Sequence, residues 1–172
     1  MIEIRKAHSK DAPIIALLGR ITFTETFGHL FRDKNDLMNY YDKTFSVEKI
    51  NQSIKKSENV FWLAFVNKLP VGYAKLKLNS KSEFIQSDSI CQLQKIYVLN
   101  DFLSMKIGSE LQTELFSEAK KSGFKHIWLS VLKTNDRAIR FYKKYGFSKV
   151  GQHNFSIGKE NFDFKAMCKT LV

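Results

Sequence analysis

The apolar positions of this chain fall into short blocks whose period changes along the sequence. Ile2, Ile4 and Lys6 fit a first strand. Ser9 is placed to cap a helix with Pro13 near its start, and Ile14, Leu17, Leu18 and Ile21 share one face of it. The stretch Thr22–His29 ends that helix and turns. Asp33–Asp42 predicts a short second helix, and Ser46 with Lys49 and Ile50 opens a third, ending around Ser57. Val60–Val66 and Val71–Leu78 read as a hairpin around a turn at Asn67, Lys68, Leu69 and Pro70. Ile90–Leu99 is a further strand.

The second half alternates strands with helices. Met105–Ser122 carries Ile107, Leu111, Leu115 and Ala119 four residues apart, and Gly123 closes it. His126–Leu132 is a strand. Thr134 is the expected cap of a helix reaching Tyr145, with Ala138, Phe141, Tyr142 and Tyr145 on one face and Gly146 at its end. Phe147–Ile157 and Asp163–Leu171 close the chain as an antiparallel pair around Gly158–Asn161. The order is β, helices, ββ, β, α, β, α, ββ, which is a mixed α/β domain with strand–helix–strand units in its second half. There is no repeat, no low-complexity tract and no Pro/Gly-rich linker, so residues 1–172 read as one domain.

With 44% hydrophobic residues and fifteen Phe, the chain has enough apolar mass for an aromatic-rich core. The formal net charge of +11 favours an anionic partner, but the lysines are scattered in pairs such as Lys55-Lys56, Lys120-Lys121 and Lys143-Lys144. Nucleic-acid-binding tails carry longer runs of like charge. With no recognition helix, RNP-like aromatic motif or zinc framework, nucleic acid is not the expected partner. No apolar run approaches the roughly 20 residues that span a bilayer, and the chain opens on a strand pattern and not on a signal peptide. Cys91 and Cys168 form no CxxC and have no His at ligand spacing, so no metal is expected. They read as buried reduced thiols, in keeping with a cytoplasmic protein. Trp62 and Trp128 read as core. His8, His29, His126 and His153 share no ligand spacing, and none is read as catalytic.

The most specific segment is Asn135–Phe147, which fits NxxAxxFYxxxGF through Asn135, Ala138, Phe141, Tyr142, Gly146 and Phe147. This pattern resembles the C-terminal motif of the GNAT acetyltransferases, and the order of elements over the chain is similar to theirs. Thr24–Phe27 and Ile127–Leu129 further resemble the PaiA-type spermidine/spermine acetyltransferases. The resemblance implies a GNAT fold, with a mixed central sheet of about seven strands flanked by helices. It also implies acetyl transfer from acetyl-CoA to a primary amine by direct attack in a ternary complex. Within it, Tyr142 is the expected acid for the thiolate, because a phenol can donate first a hydrogen bond and then a proton. Asn135 holds the pantetheine arm or a water. Ala138, Phe141 and Lys144 accompany them in cofactor binding. Taken alone, the Phe141, Tyr142 and Tyr145 stripe reads as core; the complete motif reverses that reading for Tyr142.

The family's second motif, Q/R-x-x-G-x-G/A, is only partly present. Leu103, Ser104, Met105, Lys106, Ile107 and Gly108 occupy the loop, with Leu103 in the Gln/Arg place, Lys106 in the first Gly place, and only Gly108 retained. Such a loop works by aiming helix N-terminal N–H groups at phosphate oxygens. Lys106 can still offer its N–H if its φ stays negative, and Ser104 or Ser109 can add a hydroxyl. Upstream, the backbone of Ile96, Tyr97 and Val98 is expected to hold the pantetheine amides. Gln94 stands where many relatives carry a Glu base, and it can orient a water. Glu25, in the loop after the first helix, is the alternative carboxylate, clustered with Asp33 and Asp36 on the expected acceptor side. A small amine or polyamine is therefore the expected acceptor, with a homodimer left open. The altered loop and Gln94 also suit an alternative: a GNAT-like protein that binds CoA as a regulator or sensor with little or no turnover.

Overall fold

The computed structural model describes residues 1–172. Seven strands form one sheet: β1 Ile2–Lys6, β2 Asn59–Val66, β3 Leu69–Lys77, β4 Ile90–Val98, β5 His126–Leu132, β6 Ser148–Ile157 and β7 Glu160–Thr170. Their order across the sheet is β1-β2-β3-β4-β5-β7-β6. All neighbours are antiparallel except β4 and β5, which run parallel. Five helices complete the fold: α1 Ala12–Phe27, α2 Lys34–Thr44, α3 Val47–Lys55, α4 Ile107–Lys121 and α5 Asp136–Lys144.

The sheet separates two apolar cores. On one face Leu111, Leu115 and Ala119 of α4 and Ile139 of α5 pack on Trp62, Leu93, Leu129 and Met167. On the other, Ile15 and Phe23 of α1 and Ile50 of α3 pack on Leu63, Tyr73 and Phe162. The α/β class and the element order match the reading of the sequence, and the boundaries differ for identifiable reasons. α1 runs on through Thr22–Phe27, because Thr22, Phe23 and Phe27 are buried there. Glu25 therefore stands on the last turn of α1 and not in a loop. A 3-10 turn over Ser9–Asp11 precedes α1, and Asp11 occupies the cap position in place of Ser9. Asp33 caps α2 by accepting the Asn35 N–H at 2.9 Å, and Ser46 caps α3 by accepting that of Lys49 at 3.1 Å.

The β2–β3 turn needs only Asn67 and Lys68, both left-handed, so Leu69 and Pro70 already belong to β3. A bulge opposite Ala64 and Phe65 lets Pro70 sit in the ladder. A 3-10 turn over Asn100–Met105 precedes α4 and takes in Met105, so the helix opens at Ile107 and not at Met105. No helix is long and apolar enough to cross a membrane.

Candidate active site

β4 and β5 are paired only through Ile90–Gln92 and His126–Trp128. Past that last rung a cavity of about 560 Å³ opens between them. The β4 edge that faces β5 has no ladder partner there, so its backbone polar groups are free to bind a ligand. A bulge marks the same place. Leu93 pairs with Leu76 and Lys95 with Lys75, so Gln94 is the extra residue between two rungs. A bulge re-aims its side chain, and Gln94 lines the cavity.

Most residues singled out from the sequence meet at this one cavity. Glu25, Gln94, Ile96, Tyr97, Val98, Leu103, Ser104, Lys106, Gly108, Ser109, Asn135, Ala138, Phe141 and Tyr142 line it. Met105, Ile107 and Lys144 do not. Met105 is exposed, and Ile107 turns its side chain into the core beneath α4. The Lys144 ammonium lies 5.7 Å over the Tyr145 ring. Asp33 and Asp36 lie apart from Glu25: Asp33 pairs with the Lys159 ammonium at 3.0 Å, and Asp36 accepts the Lys159 N–H at 2.9 Å. These two carboxylates pin the β6–β7 turn and leave Glu25 as the one acidic residue of the cavity wall.

The loop before α4 departs from expectation in its backbone. Lys106 has φ +62°, the left-handed region that glycine adopts freely, and it caps α4 in that conformation. The N–H groups of Ile107, Gly108 and Ser109 then open the helix with no partner within it. Built on Gly108, a Cβ would meet only the Phe141 ring, at 3.8 Å, an ordinary contact. The Ser109 hydroxyl bonds to that of Tyr145 at 2.8 Å, leaving Ser104 as the hydroxyl without a protein partner. Arg137, at a variable position of the motif, also lines the cavity and donates to the Leu103 carbonyl at 3.3 Å. Lys106 and Arg137 thus bring positive charge to the helix end whose dipole already favours an anion.

Asn135, not Thr134, caps α5: its Oδ1 accepts the Ala138 N–H at 3.2 Å. The side-chain N–H2 of Asn135 stays available at the cavity wall. Ile139 and Tyr142 are the buried residues of α5, whereas Ala138 and Phe141 are half-buried because the cavity runs beside them. The Tyr142 ring packs edge-on against Phe141 and Phe147. Burial raises its pKa well above the ordinary phenol value, and nearby Tyr97 adds to this. Tyr97 is itself pushed up to about 12 by burial. Both phenols therefore stay protonated, and each keeps an O–H.

A further set of wall residues escaped the reading of the sequence. Phe27, His29 and Leu30 come from α1 and the turn after it, Asn100 follows β4, Ser130 and Leu132 come from β5, and Phe164 from β7. The rings of Phe27 and Phe164 stand 6.3 Å apart. Nothing in their spacing brings them together; sheet order does.

The acetyltransferase (GNAT) family model matches residues 24–147. The chain is 24% identical over 172 residues to an uncharacterised N-acetyltransferase "in pepI 3'region" of Lactobacillus delbrueckii subsp. lactis, covering 99% of this chain and 98% of that one. It is 25% identical over 150 residues to spermidine N(1)-acetyltransferase of Thermoplasma acidophilum, covering 85% and 88%. Among solved structures, the PaiA N-acetyltransferase from Thermoplasma acidophilum in complex with coenzyme A superposes with a TM-score of 0.78 at 23% identity, covering 99% of both chains. The ribosomal-protein-S18-alanine N-acetyltransferase from Escherichia coli does so at 0.72 and 17%, covering 99% and 94%. These two likenesses establish the shared fold. The sheet that parts at β4 and β5, the helix end beyond it and the match over residues 24–147 place this chain in the acetyltransferase (GNAT) family, as an acetyl-CoA-dependent N-acetyltransferase.

Proposed function

We propose that the acceptor is a small primary amine, with a polyamine such as spermidine or spermine favoured, and that it attacks the thioester directly in a ternary complex. The observation that carries this reading is the make-up of the cavity wall. Lys106 and Arg137 flank the α4 N-terminus at one end, and Glu25 on α1 supplies the only carboxylate. The first end suits the pyrophosphate of CoA, whose oxygens the free N–H groups of Ile107, Gly108 and Ser109 would take. The second suits an ammonium group. The spermidine N(1)-acetyltransferase relative supports the same acceptor class.

The free edge of Ile96, Tyr97 and Val98 would hold the pantetheine amides, with the Asn135 amide as a further donor. Tyr142 is the proposed acid. It hydrogen-bonds the departing sulfur and gives up its proton as negative charge develops there. The burial that raises the phenol pKa raises that of a thiol in the same place, which keeps the transfer matched. Gln94, aimed by its bulge, orients a water beside the thioester. A cytoplasmic location and reduced thiols go with this reading; Cys91 is buried and both cysteines are free.

A thiol-release assay with acetyl-CoA tests the reading. Turnover with spermidine and spermine, faster than with peptide amines, is expected. No turnover across a broad amine panel by folded, CoA-binding protein would refute it.

A further inference from the structure

One imidazole stands behind the acceptor side of the cavity, held more closely than any role assigned so far requires. Ser130 Oγ and His153 Nε2 are 2.8 Å apart. Ser130 lines the cavity. Its place follows from the strand register. The last β4–β5 rung is Gln92 with Trp128, and Gln94 and Ser130 lie two residues past it on their respective strands. The two therefore flank the point where the strands part, and Ser130 faces the same side of the sheet as Leu132 and the acceptor-side aromatics.

His153 lies on β6 opposite Phe164 of β7. Its ring stacks on Phe164 at 5.5 Å and 14°, and Phe84 from the β3–β4 connection covers it at 6.3 Å and 28°. Gly151 makes this possible, since a Cβ there would stand 2.3 Å from the Phe84 ring. An imidazole between two aromatic faces is fixed in orientation, with Nε2 held toward Ser130. The surrounding ionisable groups leave it free of a fixed partner. Asp163 and Lys165 of β7 alternate to the opposite face from Phe164, β5 presents Trp128, Ser130 and Leu132, and Lys81 and Asp88 of the connection pair with each other at 3.1 Å. Glu83 is the remaining acid of that connection, and it is exposed.

We propose that Ser130 and His153 form the proton exit for the acceptor amine. This rests on the amine-acceptor reading above. The substrate ammonium loses an N–H proton to Ser130 Oγ, and the electron pair stays on nitrogen. In the same step the Ser130 hydroxyl proton passes to Nε2 of His153, whose ring carries its own proton on Nδ1. The resulting imidazolium releases the Nδ1 proton to water, the neutral amine attacks the thioester carbonyl, and proton exchange with solvent returns the ring to its Nδ1–H tautomer before the next turnover. Ser130 is then a catalytic residue that touches the acceptor, and His153 a positioning and proton-accepting residue that acts through it.

The test is the pH profile of kcat/KM for spermidine in the wild type, Ser130→Ala and His153→Gln, with CoA titration and thermal melting as controls. Both variants are expected to bind CoA as the wild type does. At neutral pH they should lose activity by about 10²-fold, and recover toward pH 9–10, where the amine deprotonates unaided. Ser130→Thr, which keeps the hydroxyl, should restore the wild-type profile. An unchanged profile, or a loss equal at every pH, overturns the relay and leaves His153 a packing residue. Ser130→Ala removes a single oxygen, so it keeps the test valid should His153→Gln fail to fold. If the wild type itself acetylates no amine, the acceptor reading fails first and takes the relay with it. If it turns over and the variants keep its profile, the relay alone fails.

Discussion

The Glu25 carboxylate accepts the backbone N–H of Asn100 through both oxygens, at 3.2 and 3.3 Å, and so ties the last turn of α1 to the segment leaving β4. The carboxylate proposed to meet the substrate ammonium is thus also a clamp between α1 and the segment after β4, and the two roles can be separated. Glu25→Gln keeps an acceptor for Asn100 and removes the charge. It should raise KM for spermidine about fivefold, as an exposed charge contact worth roughly 1 kcal/mol implies, with kcat nearly unchanged and monoamines little affected. Glu25→Ala removes the clamp as well and should lower kcat too. Initial rates over a spermidine and monoamine series check this.

Tyr142→Phe deletes one oxygen from a buried ring and leaves its packing against Phe141 and Phe147 in place. Turnover should fall by about 10²-fold or more, the range for loss of a general acid, while CoA affinity and the melting temperature stay close to wild type. Single-turnover acetyl transfer alongside CoA calorimetry reads both quantities. A full-rate Tyr142→Phe enzyme removes the phenol from the mechanism.

Lys106 holds φ +62° without being glycine. A left-handed residue with a Cβ costs about 1–2 kcal/mol, part of which glycine would return in the unfolded chain's freedom. Lys106→Gly should therefore stabilise the fold by about 0.5–1 kcal/mol in urea unfolding. The same change removes an ammonium from the α4 N-terminus. CoA affinity should fall about fivefold at low ionic strength, with the gap closing near about 0.5 M salt as screening takes over.

Lys75 and Lys95 face each other across β3 and β4, each with its ammonium over an aromatic ring and neither with a carboxylate. Burial lowers both from 10.5 to about 8, and for Lys75 the neighbouring lysines, Lys95 first, add to it. The unfolded chain then holds more protons than the folded one between about pH 8 and 10.5, so stability rises with pH over that window. The buried tyrosines act in the other direction once pH passes the ordinary phenol value, because Tyr97 and Tyr142 resist ionising in the fold. The melting temperature should climb from pH 7 to a maximum between about 9 and 10. Lys75→Met should flatten the rise and stabilise the protein at pH 7 by about 1–2 kcal/mol, after discounting for its partial exposure.

Local periodicity was enough to place the strands and helices, because each element's apolar spacing is set within its own few residues. Asn135–Phe147 was legible as a resemblance to a family motif, whose Asn, cavity-facing ring and closing glycine all lie on one helix and its ends, although the cap fell on Asn135 and not on Thr134. Local signal failed where a decision depended on distant packing. Thr22–Phe27 reads as an ending, yet it stays helical because Phe23 and Phe27 find Phe31, Phe45 and Phe162 across the core. Nothing in the residue type of Lys106 marks a left-handed position, yet it adopts φ +62° at the turn into α4. Asp33 and Asp36 share a sequence neighbourhood with Glu25, yet Lys159 takes them to the β6–β7 turn. The tertiary structure alone decided which residues of α1, β5 and β7 line the cavity and brought Ser130 to His153. Residues 23 apart on β5 and β6 meet there because β7 inserts between those strands in the sheet, and no pattern along the chain records that order.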